Sequence, residues 1–280
     1  MQISEIRKIN QNIHQSKGMI QEADSSKMKK HSRHAMKLAW VASLLWLLLI
    51  GMNLIMADPG PANSVTVINS STRLDSPTGS AIDAVAGNVT LLIISDTRTT
   101  RRWQGYYGNI SGGITLDDSA DNSLYDWGLA NPQGEIYASN TSSVIWTNIT
   151  CFNTSEFNSS KQRINLTTLE STFGINSSDN DGINETFNSS FTGNFAVGTK
   201  TIDSNLACPT AHLYVNSAPQ YQNFTEVILT DNTTSNIVFT AIIENDVVGF
   251  DGRKYDFEMI VPEDGDTAGV STYYFFVELQ

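Results

Sequence analysis

Histidine is nearly missing from most of this chain. Of its four histidines, His14, His31 and His34 precede residue 58 and only His212 follows it. There are two cysteines, Cys151 and Cys208, with no Cys-x-x-Cys spacing and no histidine pair nearby, so no zinc site is signalled. No Gly-x-Ser-x-Gly elbow and no phosphate-cradling glycine loop is present. A Ser-His-Asp site would have to use His212 without any supporting signature, and a lone histidine on a strand reads as structural. Paired carboxylates of a glycosidase are set in space and stay open. Charge is also scarce, at 16% of residues against the usual quarter. Polarity comes from Asn, Ser and Thr instead. These absences predict no catalytic residues and no enzymatic role.

What charge there is lies unevenly. Before Leu38 stand eight basic and three acidic residues, a surplus of five; the net charge is -12, so the rest carries about -17. An acidic body argues against nucleic-acid binding. From Leu38 to Ala57 no residue is charged. The chain therefore divides into a basic region over 1–37 (with Met28 or Met36 as the start that would leave an ordinary leader) and an apolar region over 38–57. This reads as a secretory signal cut after Ala57, or as a membrane anchor if it is kept. A leader with a possible donor strand follows over 58–80, and then a β domain over 81–280.

Asn-x-Ser/Thr triplets are abundant in the exported part. They fall at Asn69, Asn88, Asn109, Asn140, Asn148, Asn153, Asn158, Asn165, Asn176, Asn184, Asn188, Asn223 and Asn232. The Asn, Ser and Thr content beyond Ala57 would produce roughly five by chance. Such an excess behind a signal predicts a glycan-coated protein. In that setting an even cysteine pair reads as a disulfide, Cys151 to Cys208. It closes a polar loop of about 57 residues, for which chain entropy gives roughly 4 kcal/mol.

Most of the remaining pattern has period two. Segments 64–68, 88–95, 143–151, 211–215, 224–230, 237–244, 255–261 and 272–279 are rich in Val, Ile, Tyr, Phe and Thr, with turn-forming residues between them. The run 88–95 is the densest and predicts a buried strand. The helix candidate is 166–173. The whole predicts an all-β fold, an antiparallel sandwich or jelly roll, with the last strand paired in a sheet. The strand at 64–68 is isolated by polar residues on both sides. It either pairs within its own domain or completes the sheet of a neighbouring subunit.

Trp103, Gly105, Tyr106, Tyr107, Gly108 and Asn109, then Leu124, Tyr125 and Trp127, then Gly134, Glu135 and Tyr137 spell a W-x-G-Y-Y-G-N element, an L-Y-x-W element and a third short match. With these the chain resembles a group of archaeal exported, heavily N-glycosylated surface proteins. The resemblance implies a surface location and transfers no catalytic residues. The aromatics Trp103, Tyr106, Tyr107, Tyr125 and Trp127 read as core or subunit interface, or as a sugar-stacking face. Gly105 and Gly108 suggest a bulge or tight turn. Asp179 and Asp181 sit like positions 3 and 5 of a calcium loop whose positions 1 and 12 are wrong, so calcium is the one cofactor left open. The function expected is a structural cell-surface glycoprotein, exported by the general secretory route and polymerising with itself into a filament or surface layer. Contact with other envelope components is a further possibility. The alternatives are a monomeric adhesin or carbohydrate-binding module and, last, an exported hydrolase.

Overall fold

Stretches dense in Val, Ile, Phe and Thr pair into sheets here because branched and aromatic side chains pack well on a pleated, half-buried surface. The computed structural model describes residues 58–74, 81–152, 166–264 and 270–279, all within one unit, Met56–Gln280. The basic and apolar regions over 1–57 lie outside these residues. The strands are β1 (Gly60–Pro61), β2 (Trp103–Gly108), β3 (Gly113–Asp117), β4 (Ser123–Gly128), β5 (Gly134–Ser139) and β6 (Ile149–Cys151). Two short helices follow, α1 (Leu166–Thr172) and α2 (Ile183–Thr186). Then come β7 (Ser189–Ser190), β8 (Asn194–Val197), β9 (Lys200–Asp203), β10 (Pro209–His212), β11 (Thr225–Asp231) and β12 (Ile237–Ile242). The last are β13 (Val247–Val248), β14 (Lys254–Tyr255), β15 (Phe257–Pro262) and β16 (Tyr274–Leu279).

The main sheet runs β1-β16-β5-β12-β11-β10-β7, with β6 also on β11, and every pairing is antiparallel. Its centre is buried on both faces. All six residues of β5 are buried, as are most of β11 and β12. Alternation along the strands divides these side chains. Ile136, Ala138, Ile228, Phe239 and Ala241 face one core with Met259 and Val261 of β15 and with Leu169, Ile183 and Phe187 of the helical segment. Tyr137, Val227, Leu229, Val238 and Phe276 face a second core with Phe195, Val197 and Ile202 of the β8–β9 hairpin. The chain is thus an all-β antiparallel sandwich, with β15–β2 on one side of the main sheet. The disulfide joins Cys151 and Cys208, Cα atoms 5.1 Å apart, within the second core.

The last strand pairs as expected: β16 lies between β5 and β1. The helix candidate becomes α1. Segments 224–230, 237–244 and 255–261 become β11, β12 and β15, with ends displaced by a few residues. Of 143–151 only the last three residues are a strand; Trp146–Asn148 form a single 3-10 turn.

Other expectations fail. Residues 88–95 form no buried strand, and 64–68 does not pair within its own domain, the first of the two arrangements expected for it. Both faces of the main sheet are already covered, so these apolar runs find no partner there. Nor do Gly105 and Gly108 mark a bulge. The β2–β15 register advances one residue at a time from Phe257↔Gly108 to Pro262↔Trp103. A shift occurs instead between Leu116 and Asp117 in the β3–β4 hairpin. β5 is a strand the hydrophobic pattern hides, because its first residues are Gly134 and Glu135. Gly134 has φ +121, and a Cβ there would stand 2.0 Å from the Glu278 carbonyl oxygen, so this position at the β5–β16 contact admits only glycine.

Phe239 and Leu91 are both apolar, one buried and one outside the sheets. Phe239→Ala is expected to lower unfolding stability by about 3–5 kcal/mol, and Leu91→Ala by less than about 0.5 kcal/mol. Urea unfolding of the monomeric protein measures both.

Candidate functional site

Pro59 is buried, Gly60–Pro61 pair with β16, and the Ala62 amide donates to the Phe275 carbonyl, so the chain is fixed to the sheet at this point. It then leaves. Residues 62–74 and 81–101 contain no strand. Outgoing and returning segments are tied together where Arg73 Nη2 donates to Thr97 O at 2.8 Å and Thr99 Oγ1 donates to Arg73 O at 3.0 Å. The returning segment is tied to the body where the Thr100 hydroxyl donates to the Asp181 carboxylate and Arg102 Nη1 donates to Asp264 O at 2.6 Å. Between these ties the apolar residues stand in solvent. Val89, Leu91 and Ile93 are 102, 92 and 95% exposed, and Val67 and Ile68 of the other run are also exposed. Monomeric proteins rarely leave contiguous apolar surface of this kind uncovered.

A groove of about 680 Å³ opens elsewhere on the same unit. One wall is β15 with β2, through Gly105, Tyr107, Glu258 and Ile260; the other is β10 and its continuation, through His212 and Tyr214. Tyr107, Tyr214, Tyr221 and Phe250 give it an exposed aromatic lining. The β10 wall has unfinished pairing. β7 covers β10 only at Pro209 and Thr210. Leu213 N–H bonds to Phe224 O, so alternation turns the main-chain groups of His212 and Tyr214 the other way. On β15, Glu263 N–H bonds to Arg102 O of the β2 side, so the Ile260 amide points away from β2. It donates to Glu226 Oε2 at 2.9 Å, a carboxyl with no exposure to solvent, so this edge of β15 is already met inside the protein.

The residues expected to carry chemistry are scattered. His212 lines the groove with Glu185 and Glu258, the arrangement that would favour a hydrolase. Its Nδ1 instead faces Thr225 Oγ1 at 3.4 Å, burial lowers its pKa, and Glu258 Oε1 accepts from Phe250 N–H. Among the described residues no hydrogen bond joins His212 to either carboxylate. The five aromatics do not make one face. Trp103 packs on Phe187 and donates to Asp181 O, Tyr106 packs edge-on against Phe275, and Tyr107 meets Phe250 and Tyr255 at the groove. Tyr125 and Trp127 pair on the exposed β4. Asp179 accepts from Asn176 N–H and lies 3.9 Å from Arg102, while Asp181 takes the Thr100 hydroxyl. Among the described residues no group of three His, Cys, Asp or Glu is placed to hold a metal ion.

Ten of the triplet asparagines are described. Asn223 is half-buried and the other nine are exposed, open to modification; Asn188 sits on the groove's rim. Asn153, Asn158 and Asn165 lie outside the described residues. Among the described residues no helix is long and apolar enough to cross a membrane.

Sequence reasoning missed the groove, whose walls come from segments over 150 residues apart. It also missed a set of buried carboxyls. Glu135 and Glu278 face each other across Tyr137, whose hydroxyl is 3.4 Å from Glu135 Oε2 and 3.2 Å from Glu278 Oε2. Gly198 N–H donates to Glu278 at 2.9 Å. Burial and then the Glu278 charge push Glu135 up to about 8; burial raises Glu278, Glu226 and Glu258 as well, the last to about 7. The signal was faint: glutamates alternating with Tyr or Val on strands, in a chain with few cations to pair them.

No protein-family model, curated protein or solved structure matches the chain.

The carboxyls set a pH dependence. A carboxyl whose pKa is raised on folding binds its proton more tightly in the folded state. Stability is then full below the unfolded value near 4.3 and falls as pH rises towards the folded value. Unfolding free energy should therefore decline between about pH 4.5 and pH 8, by on the order of a few kcal/mol from Glu135. Glu135→Gln should flatten that decline. Urea midpoints taken across the range measure both.

Proposed function

We propose that this chain is a structural, non-enzymatic cell-surface glycoprotein that assembles with itself into an extracellular filament or surface layer. It would be exported by the general secretory route, with its acceptor asparagines glycosylated. The observation that carries the reading is the apolar excursion held away from the body, with Val89, Leu91 and Ile93 fully in solvent. A soluble monomer gains nothing from holding that surface open, whereas a subunit that buries it in a neighbour gains roughly 25 cal/mol for each Å² covered. A contact between two different surfaces of identical copies is heterologous, so repetition extends it without closing. The Cys151–Cys208 disulfide suits an oxidising exterior.

A second reading is a monomeric adhesin or carbohydrate-binding module. The exposed tyrosines and phenylalanine of the groove favour it, since aromatic faces stack on pyranose rings.

Negative-stain electron microscopy of the native protein shed from its source cells separates the two. Regular fibres or sheets are the expected result. Dispersed globular particles that bind glycans would overturn assembly and leave the adhesin.

A further inference from the structure

Resting on the assembly reading, we infer that residues 89–95 of one copy are the donor strand, and that the groove between β10 and β15 of a second copy is its acceptor. The two halves fit in chemistry and main-chain supply. Val89 to Ser95 reads Val-Thr-Leu-Leu-Ile-Ile-Ser, without charge or proline, and the acceptor Asn88 stays outside it. A seven-residue strand spans about 23 Å. Val89, Leu91 and Ile93 form one face of such a strand and Leu92 and Ile94 the other, so both faces are apolar. Such a run suits a site that offers side-chain contact as well as a free strand edge.

The groove offers contacts of both kinds. On β10, the main chain at His212 and Tyr214 turns outward past the end of β7. On the opposite wall Gly105, Tyr107, Glu258 and Ile260 share one face of the β2–β15 pair. An entering strand takes main-chain partners from β10 and sets its side chains against that face and against Tyr214, Tyr221 and Phe250. Gly105 leaves room on this wall; a Cβ there meets nothing within 4 Å. The occupant is a second copy because the donor belongs to this same chain and lies exposed outside its own groove. Identical bodies carrying about -17 repel one another, and an uncharged donor is the element that crosses between them at the lowest electrostatic cost. The 64–68 run, with Asn63 and Ser64 at its head and Asn69 to Thr72 after it, serves as the spacer of the excursion.

The test uses the full chain in two variants. Leu91→Asp with Ile93→Asp disables the donor; Gly105→Trp fills the acceptor. Both sites are exposed, so both variants should retain the disulfide and the wild-type urea midpoint. Wild type is expected to polymerise and each variant alone to stay monomeric. Mixed together they should form a one-to-one dimer, read by native mass spectrometry, because one intact donor then meets one intact groove. Deletion of residues 63–69 should shorten the reach and slow polymerisation without changing that dimer.

Polymers that persist in either variant would sink the assignment of donor or groove while leaving assembly itself in place. A mixture that stays monomeric, with wild type polymeric, also overturns it. If wild type forms no polymer at all, the assembly reading falls, and the strand assignment with it. Oligosaccharide bound in the groove of a polymer that Gly105→Trp does not disturb would identify the groove as a sugar site instead.

Discussion

The main sheet is buried on both faces, and the rest of the structure follows from that. A sheet with two covered faces needs two sets of apolar side chains along each central strand. Ile136 and Tyr137, Ile228 and Val227, and Phe239 and Val238 provide them in alternation. Covering one face takes β15, β2 and the two helices; covering the other takes the β8–β9 hairpin and the disulfide. Once these are in place the apolar runs at 64–68 and 88–95 have nothing left to cover in the main sheet. Their exposure is a product of a sheet already completed on both sides.

The same constraint explains the buried glutamates. Strands covered on both faces have no solvent-facing side on which to place polar residues. Glu135, Glu226 and Glu278 therefore lie inside, with few cations to meet them. Burial raises the pKa of all three, Glu135 to about 8, and Tyr137, Gly198 and Ile260 bond them. A proton kept on Glu135 avoids the cost of burying its charge. That links the packing of the main sheet to the proton concentration outside.

The amino-acid pattern disclosed much of this frame and little of the site. β11, β12, β15 and β16 were legible because each is a dense branched-aromatic run between turn residues, and α1 because 166–173 departs from period two. The cysteine pair was legible from number and setting. β5 was not, since Gly134 and Glu135 break the apolar signature and its burial comes wholly from neighbours. The run 88–95 looked like the best buried strand in the chain. Intrinsic preference describes what such a run suits, but it carries no information about whether a partner strand lies within reach. The groove was invisible for a related reason: Gly105, His212 and Ile260 come together only through long-range pairing, and Gly105 contributes by what it lacks.

The excursion also lies early in the chain, whereas the walls of the groove come from residues 105–107, 210–214 and 258–260. Ribosomes deliver those walls in that order, the last some 165 residues after the apolar run has emerged. During synthesis the run therefore exists before its own molecule has any groove to offer. For that interval the run is apolar chain with no folded surface of its own molecule beside it. The order in which the peptide bonds are made thus sets a window of exposure that the finished fold does not reveal.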